Sequence, residues 1–363
     1  MSNTQRKKGF NLIGYATSPM GLGEDLRAFA AMLEHLQIAF SVVDIPTDVQ
    51  GRVKVAWSHM TQEDYDTSVF FMSAMECQSL ANVHPQLFSA PKKKIGYFLW
   101  ELPDFPASYS NALKLVDHIW CPTRFVQKAF FNRSRQLTLA LPLPVVSQPP
   151  TGKKFRSALK ISPKAFVVLF MFDLHSTTQR KNPQAVVRVF LEFLKIRPTA
   201  YLILKINRWN SKQQKELKWL DEHPRIKIIK ETLLPGELSD LYNASNCYLS
   251  LHRSEGFGRT LVEALQHGLH LVSTDFSGPQ DFLNADNTFL VSWSRKVATP
   301  KDYPNLDADT WWSEPNEQNA LTQLQLAYEA SKVSRNEQGM RDAENFSHDA
   351  LANKYLPILK TYL

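Results

Sequence analysis

The stretch Leu251–Leu283, LHRSEGFGRTLVEALQHGLHLVSTDFSGPQDFL, decides how this chain is read. CYLSL, ending at Leu251, is a short apolar run of the length of a buried strand, and Glu255 falls in the turn beyond its carboxyl end. Gly256 and Gly258 permit close backbone approach, and the apolar spacing that follows predicts a helix starting near Gly258. The N–H groups of Arg259, Thr260 and Leu261 would then lack intrahelical acceptors and point at an anion, with a phosphate as the natural guest. Glu263 comes eight residues after Glu255, in the second turn of that helix, so the two carboxylates are expected to flank the anion from opposite sides. The spacing alone is weak, since two glutamates at this interval arise by chance roughly once in a chain of this length. The competing reading is that both acids merely solvate a helix start.

Working outward, the second half alternates strand-like and helical runs: FVVLFMF (Phe166–Phe172), NPQAVVRVFLEFLKI, YLILKI, a charged helix over Ser211–Glu222, RIKIIK, CYLSL and HLVSTD. Upstream, LPLPVVSQPPTGKK (Leu141–Lys154) is too rich in proline for a helix and reads as a linker. The first third repeats the alternation with FNLIGYA, a helix carrying Leu26, Phe29, Ala30, Leu33 and Leu36, then FSVVDI, SVFFM, IGYFLW and HIWCPT. Strands alternating with helices predict α/β architecture, two doubly wound parallel sheets in series. The expected domains are 1–145, 146–345 and a final helical segment, 346–363, packing back on the first.

With 363 residues, 44% apolar and 21% charged, the chain has the composition of an ordinary globular protein, which excludes disorder, collagen and coiled coil. A formal charge of +7 suits an anionic small molecule, a phospholipid surface or nucleic acid about equally. Cys77, Cys121 and Cys247 are too few and too scattered for a disulfide framework or a zinc site, which fits a reducing cytoplasm. The longest apolar run, Ala165–Phe172, is eight residues, far from a membrane span, and the N-terminus reads as a first strand rather than a signal peptide.

SEGFGRTLVEAL resembles the signature of two glutamates separated by seven residues found in retaining glycosyltransferases of family 4, which have the GT-B fold of two Rossmann-like domains facing a cleft. The resemblance implies that Glu255 contacts sugar hydroxyls of a nucleotide-sugar donor and Glu263 its ribose, with Gly256, Phe257, Gly258, Arg259, Thr260 and Leu261 around the diphosphate. FDLHSTTQRKNP (Phe172–Pro183) resembles the family's Arg-Lys element, implying that Lys181 and Arg180, with Ser176 beside them, neutralise the leaving diphosphate. Where family members often carry another arginine, this chain has Asp173 or His175. Lys205, read as following an apolar strand, is a further phosphate candidate. ETLLPGELSDLY resembles a base-binding segment, with Leu233 and Leu234 as candidates, and SGPQDF a loop that faces the donor sugar. In the first domain, SPMGLGED puts Gly21 and Gly23 in the first strand-to-helix loop, where such enzymes bring backbone near phosphates and acceptor. GYFLWELPDFP resembles a segment of bacterial transferases of polysaccharide and lipopolysaccharide assembly, with Trp100, Glu101 and Asp104 at the mouth of a strand. Glu101 stands where many members have a histidine.

The implied activity is retaining transfer of a hexose from a nucleoside-diphosphate sugar, such as GDP-mannose or UDP-glucose, to a glycan or lipid-linked acceptor in cell-surface polysaccharide synthesis. No cofactor beyond the donor substrate is expected. A nucleotide-sugar epimerase and a non-catalytic sugar-nucleotide or glycan-binding subunit are the alternatives. His59 and His84 are assigned no role. D-x-D at Asp64–Asp66 and Asp307–Asp309 reads as loop acids, so no metal is expected. Nucleic acid is disfavoured because the clusters Arg6–Lys8, Lys92–Lys94 and Lys153–Lys154 are not interleaved with aromatics. These clusters are instead candidates for peripheral attachment to anionic lipid on the cytoplasmic face.

Overall fold

The computed structural model describes residues 7–18, 21–47, 53, 55, 65–174, 176–209, 223–303, 306–307 and 309–363. The helix expected over 211–222, together with Arg6, His59, Asp64 and His175, lies outside the described residues. The chain divides into two compact units, one of Met1–Val145 with Phe346–Leu363, the other of Val146–Asn345.

In the first unit, β1 (Lys7–Gly14), β2 (Phe40–Asp44), β3 (Tyr65–Phe71), β4 (Lys93–Tyr97), β5 (His118–Cys121) and β6 (Leu137–Ala140) form one parallel sheet in the order β2-β1-β3-β4-β5-β6. Leu12 pairs with Val42 on one side and Val69 on the other, and all three are buried. Such strands read as nearly continuous apolar runs because both faces are covered. Helix Gly21–His35 turns Leu26, Phe29, Ala30 and Leu33 inward. Helix His348–Lys360 also belongs to this unit. Beyond it, the Tyr362 ring meets Trp120 edge-on at 5.2 Å, and its carbonyl accepts from Thr67 Oγ1 at 2.8 Å.

Gly21 and Gly23 occupy the first turn of helix Gly21–His35, not the loop before it, and their surroundings differ. A Cβ at Gly23 would lie 2.5 Å from the carbonyl oxygens of both Ser18 and Tyr15, whereas one at Gly21 would meet nothing within 4 Å among the described residues. Gly23→Ala is therefore expected to destabilise by about 1–3 kcal/mol through overpacking. Gly21→Ala should be neutral or stabilising by up to about 1 kcal/mol, since it restricts the unfolded chain. Urea unfolding of the two single variants checks the contrast, and equal midpoints would refute it.

In the second unit, β7 (Val167–Asp173), β8 (Tyr201–Asn207), β9 (Ile226–Ile229), β10 (Cys247–Ser250), β11 (His270–Thr274) and β12 (Thr288–Val291) form a parallel sheet in the order β12-β11-β10-β7-β8-β9. Two further strands, β13 (Trp293–Val297) and β14 (Trp311–Pro315), make an antiparallel pair outside that sheet. The proline-rich segment is fastened to helix Pro235–Asn243. Asp240 accepts there from the N–H groups of Thr151, Gly152 and Lys153 and from the Thr151 hydroxyl at 2.6–3.1 Å.

From β7 the chain moves outward through β8 and β9, then returns to β10 on the other side of β7 and moves outward the opposite way. The neighbours β7 and β10 thus mark the topological switch point, where the loops leaving their carboxyl ends diverge and open a crevice. Each unit is a doubly wound, Rossmann-like α/β domain.

Candidate active site

The loop after β7 and the loop after β10 meet through charge. Glu255 Oε2 lies 3.0 Å from Arg180 Nη1, and its Oε1 lies 2.5 Å from Lys181 Nζ. Arg180 is 2% exposed and Lys181 19%, so one cation is sealed in and the other reaches solvent. Arg180 also donates to Ser254 O at 2.8 Å and Ser176 Oγ at 2.6 Å.

Local sequence explains this placement. Thr178–Lys181 forms a single helical turn that ends at Asn182, a left-handed residue at φ 55°, a conformation asparagine tolerates better than most. Pro183 then sits at the first position of helix Pro183–Ile196, where its missing N–H costs nothing. Asn182 Nδ2 donates to Leu251 O at 3.0 Å and so pins one loop to the other. On the far side of Glu255, its own N–H donates to Ser277 Oγ at 2.8 Å, and Gly278 N–H donates to its carbonyl at 2.9 Å. A Cβ at Gly278 would lie 2.1 Å from Gly256 O, so only glycine lets the SGPQDF turn approach this closely.

Burial would raise the Glu255 pKa, but the charges of Lys181 and Arg180 outweigh it and bring the carboxyl down to about 2. His252, fully buried, is held by Ser250 Oγ at Nδ1 (3.0 Å) and by Phe276 O at Nε2 (3.4 Å). Burial lowers its pKa to about 4, so it is neutral near pH 7. Both shifts are depressions, and both give stability that is complete above the unfolded pKa and lost as pH falls. For His252 that window runs from 6.5 down to about 4, and for Glu255 from 4.5 down to about 2. Stability is therefore expected to decline in two stages on acidification, and His252→Gln should remove the upper one. Urea midpoints at a series of pH values test this, and an unchanged profile in the variant would refute it.

The helix expected after Gly258 is Arg259–Gln266, capped by Gly258 at φ 90°. Arg259 and Thr260 open it as expected, but Leu261 N–H donates to Gly258 O at 2.9 Å and is not available to an anion, because the chain tightens into an i to i+3 bond at its start. Phe257 packs on Phe282 at 5.6 Å. Glu263 lies in the second turn, half-buried, and accepts from the Tyr242 hydroxyl at 2.7 Å. The two glutamates are thus in different surroundings, Glu255 against two cations and Glu263 against a phenol.

Lys205 lies inside β8 rather than after it, 1% exposed, because Ile206 and Asn207 continue the ladder beside β7. Its ammonium donates to Asn207 Oδ1 at 2.5 Å and Ile206 O at 3.3 Å, and burial lowers its pKa to about 8. Leu233 is buried, whereas Leu234 is exposed and precedes helix Pro235–Asn243. Asp173 pairs with Arg208, whose Nη2 is 2.6 Å from it.

Glu101, Gly21 and Gly23 belong to the first unit. Glu101 follows β4 and is partly buried; Trp100 Nε1 donates to Asp104 O at 2.9 Å, so these two shape the turn. Asp66, expected in a loop, lies in β3 and pairs with Lys92 at 3.2 Å. Within the basic clusters, Lys94 pairs with Asp117 and Lys153 with Glu237, while Lys93 donates to Thr361 O. Among the described residues no group of three or more His, Cys, Asp or Glu side chains converges as a metal site, and no helix is long and apolar enough to cross a membrane.

Sequence reading passed over His252, Arg253, Asn182, Tyr242 and Glu314. The first three flank recognised motif residues, but nothing in their spacing marks them. The last two act through partners 21 and 61 residues away.

Residues 153–297, less than half of the chain, match the family Glycosyl transferases group 1. No curated protein is significantly similar to the chain. Among solved structures, the fold is similar to Anabaena Alr3699/HepE in complex with UDP and glucose, with a TM-score of 0.65 at 15% identity over 98% of this chain and 100% of that one. It is similar to a glycosyltransferase from Rickettsia africae, with a TM-score of 0.65 at 13% identity over 98% and 99% of the two chains. It also resembles the pneumococcal O-GlcNAc transferase GtfA in complex with UDP and GlcNAc, with a TM-score of 0.57 at 16% identity over 82% of this chain, which spans only 56% of that one. At such identities the likeness speaks for the fold alone. The chain is a two-domain protein of the GT-B fold whose second unit contains the segment that matches the glycosyl transferases group 1 family.

Proposed function

We propose that this protein is a retaining glycosyltransferase that moves a hexose from a nucleoside-diphosphate sugar to a glycan or lipid-linked acceptor in cell-surface polysaccharide synthesis. The observation that carries the reading is the buried union of Glu255 with Arg180 and Lys181 at the switch point of the second unit, inside the matched segment. UDP in the structures of similar fold makes a uridine donor the first to test.

On this reading, Lys181 and Arg180 neutralise the departing diphosphate, and the N–H groups opening helix Arg259–Gln266 add to that field. Glu255, kept ionised by its cations, accepts from sugar hydroxyls and holds the ring in place. Glu263, braced by Tyr242, accepts from the ribose. The leaving phosphate takes the acceptor proton on the face it vacates, so configuration is retained and no separate base is required. The field comes from the protein's own side chains and helix N-terminus, and turnover should persist in EDTA.

A thermal-shift panel of UDP, GDP and ADP with their hexose conjugates tests donor binding; a ligand at a hundred times its Kd stabilises by about 2.7 kcal/mol. Incubation of the binding donor with glycan and lipid-linked acceptors should then give product of unchanged anomeric configuration by NMR. An inverted product would end the retaining mechanism. Epimerised donor in the absence of acceptor would end the transferase reading.

A further inference from the structure

Arg253, 9% exposed in the loop after β10, takes no part in the steps above. Its Nε and Nη2 grip Glu314 of β14 at 3.0 and 2.9 Å, a two-pronged pairing of fixed geometry. Its Nη1 donates to Gln179 O at 2.6 Å, and its backbone N–H donates to Arg180 O at 2.8 Å. Its carbonyl accepts from Ser313 N–H at 3.0 Å and Ser313 Oγ at 2.7 Å. Lys296 of β13 pairs with the same Glu314.

Arg253 thus holds the carbonyls of the two residues that immediately precede Lys181. The turn they belong to, Thr178–Lys181, is a single helical turn, too short to sustain itself, so its geometry has to be set from outside. An apolar pair of similar volume would often stabilise the fold as well as this part-buried Arg–Glu pair does; what the pair adds is direction. We propose that Arg253 is a positioning residue for the Arg180–Lys181 pair, and that the β13–β14 hairpin, through Glu314, fixes the approach of those cations to Glu255 and to the leaving diphosphate. The part concerning the diphosphate rests on the glycosyltransferase reading; the part concerning Lys181 and Glu255 does not.

The test therefore has two arms on the full chain, wild type against Glu314→Gln and Arg253→Lys. In the first, without donor, the rate at which an amine-acylating reagent modifies Lys181 is followed by mass spectrometry. Loosening the turn should expose the ammonium and raise that rate at least about fivefold, with lysines 195 and 332 as unchanged references. In the second, kcat with the donor identified above should fall about 10–100-fold, the loss typical of groups that orient a functional residue, with donor KM within twofold. Arg253→Lys keeps the charge but loses the fork, and should not rescue either property. Should Arg253→Lys fail to fold, Glu314→Gln, a near-isosteric change at a part-exposed carboxylate, carries the test. Unchanged labelling in a folded variant overturns the inference whatever the kinetics, and raised labelling with unchanged kcat overturns its link to the reaction. Raised labelling in a protein whose wild type turns over no donor upholds the positioning role and rejects the enzymatic reading instead.

Discussion

Arg180→Ala is expected to lower the stability of the second unit by about 3–5 kcal/mol, the range seen when one member of a buried ion cluster is removed. Arg180 is 2% exposed, so water cannot replace it. Its loss takes a cation from Glu255 and donors from Ser254 O and Ser176 Oγ at once, and leaves a cavity. The cost should be largely relieved in the double variant Arg180→Met, Glu255→Gln, which removes the charge that had been left under-compensated. That non-additivity, at least about 1 kcal/mol in a double-mutant cycle, separates an ion cluster from simple loss of packing. Urea unfolding of Arg180→Met, Glu255→Gln and their double variant provides the cycle. Strict additivity would show that Arg180 holds the loops by its bulk and its backbone contacts alone.

The central strands were legible in the sequence for the same physical reason that they are central. Val167–Asp173 is covered on both faces and spells a nearly unbroken apolar run, while Tyr65–Phe71 and His270–Thr274 are buried along nearly their whole length and are marked by their apolar cores, Val69–Phe71 and Leu271–Val272. The edge strands are mixed: FSVVD of β2 and IKII of β9 are apolar enough to be read, whereas LTLA of β6 is only part-buried and β12 buries only Thr288 and Val291 at its two ends. The β13–β14 pair was invisible because β13 is almost wholly exposed and is held by a partner on the far side of a long connection.

The site divides in the same way. Glu255, Arg180 and Lys181 could be named because each sits in a short motif next to a strand end, and the family resemblance gave those motifs meaning. That the three would be bonded to one another could not be read, since it depends on β7 and β10 being neighbours, which brings together loops 74 residues apart in the chain. Lys205 was placed correctly in sequence but misjudged in structure, because a lysine inside a strand looks like a strand end until its buried polar partners are known. Leu261 was misjudged for a related reason: whether the third N–H of a helix is free depends on how the cap tightens, which composition does not record.

Lys181→Ala should separate chemistry from stability. At 19% exposure the ammonium is partly hydrated already, and its removal leaves Glu255 paired with Arg180, so the folded state is expected to lose less than it does with Arg180→Ala, about 1–2 kcal/mol. On the proposed reaction, however, Lys181 is the cation able to follow charge onto the departing diphosphate, and losing one such preorganised group typically costs about 10²–10³ in kcat. The donor KM should move far less than kcat, because the charge that Lys181 meets grows as the glycosidic bond breaks. Lys181→Arg should recover part of the rate, since the positive charge remains while its reach and geometry change. Steady-state kinetics beside a urea curve for each variant decide the matter. A variant that loses stability and rate together would make Lys181 a member of the structural ion cluster, and would leave the leaving-group charge to Arg180 and the helix N-terminus at Arg259.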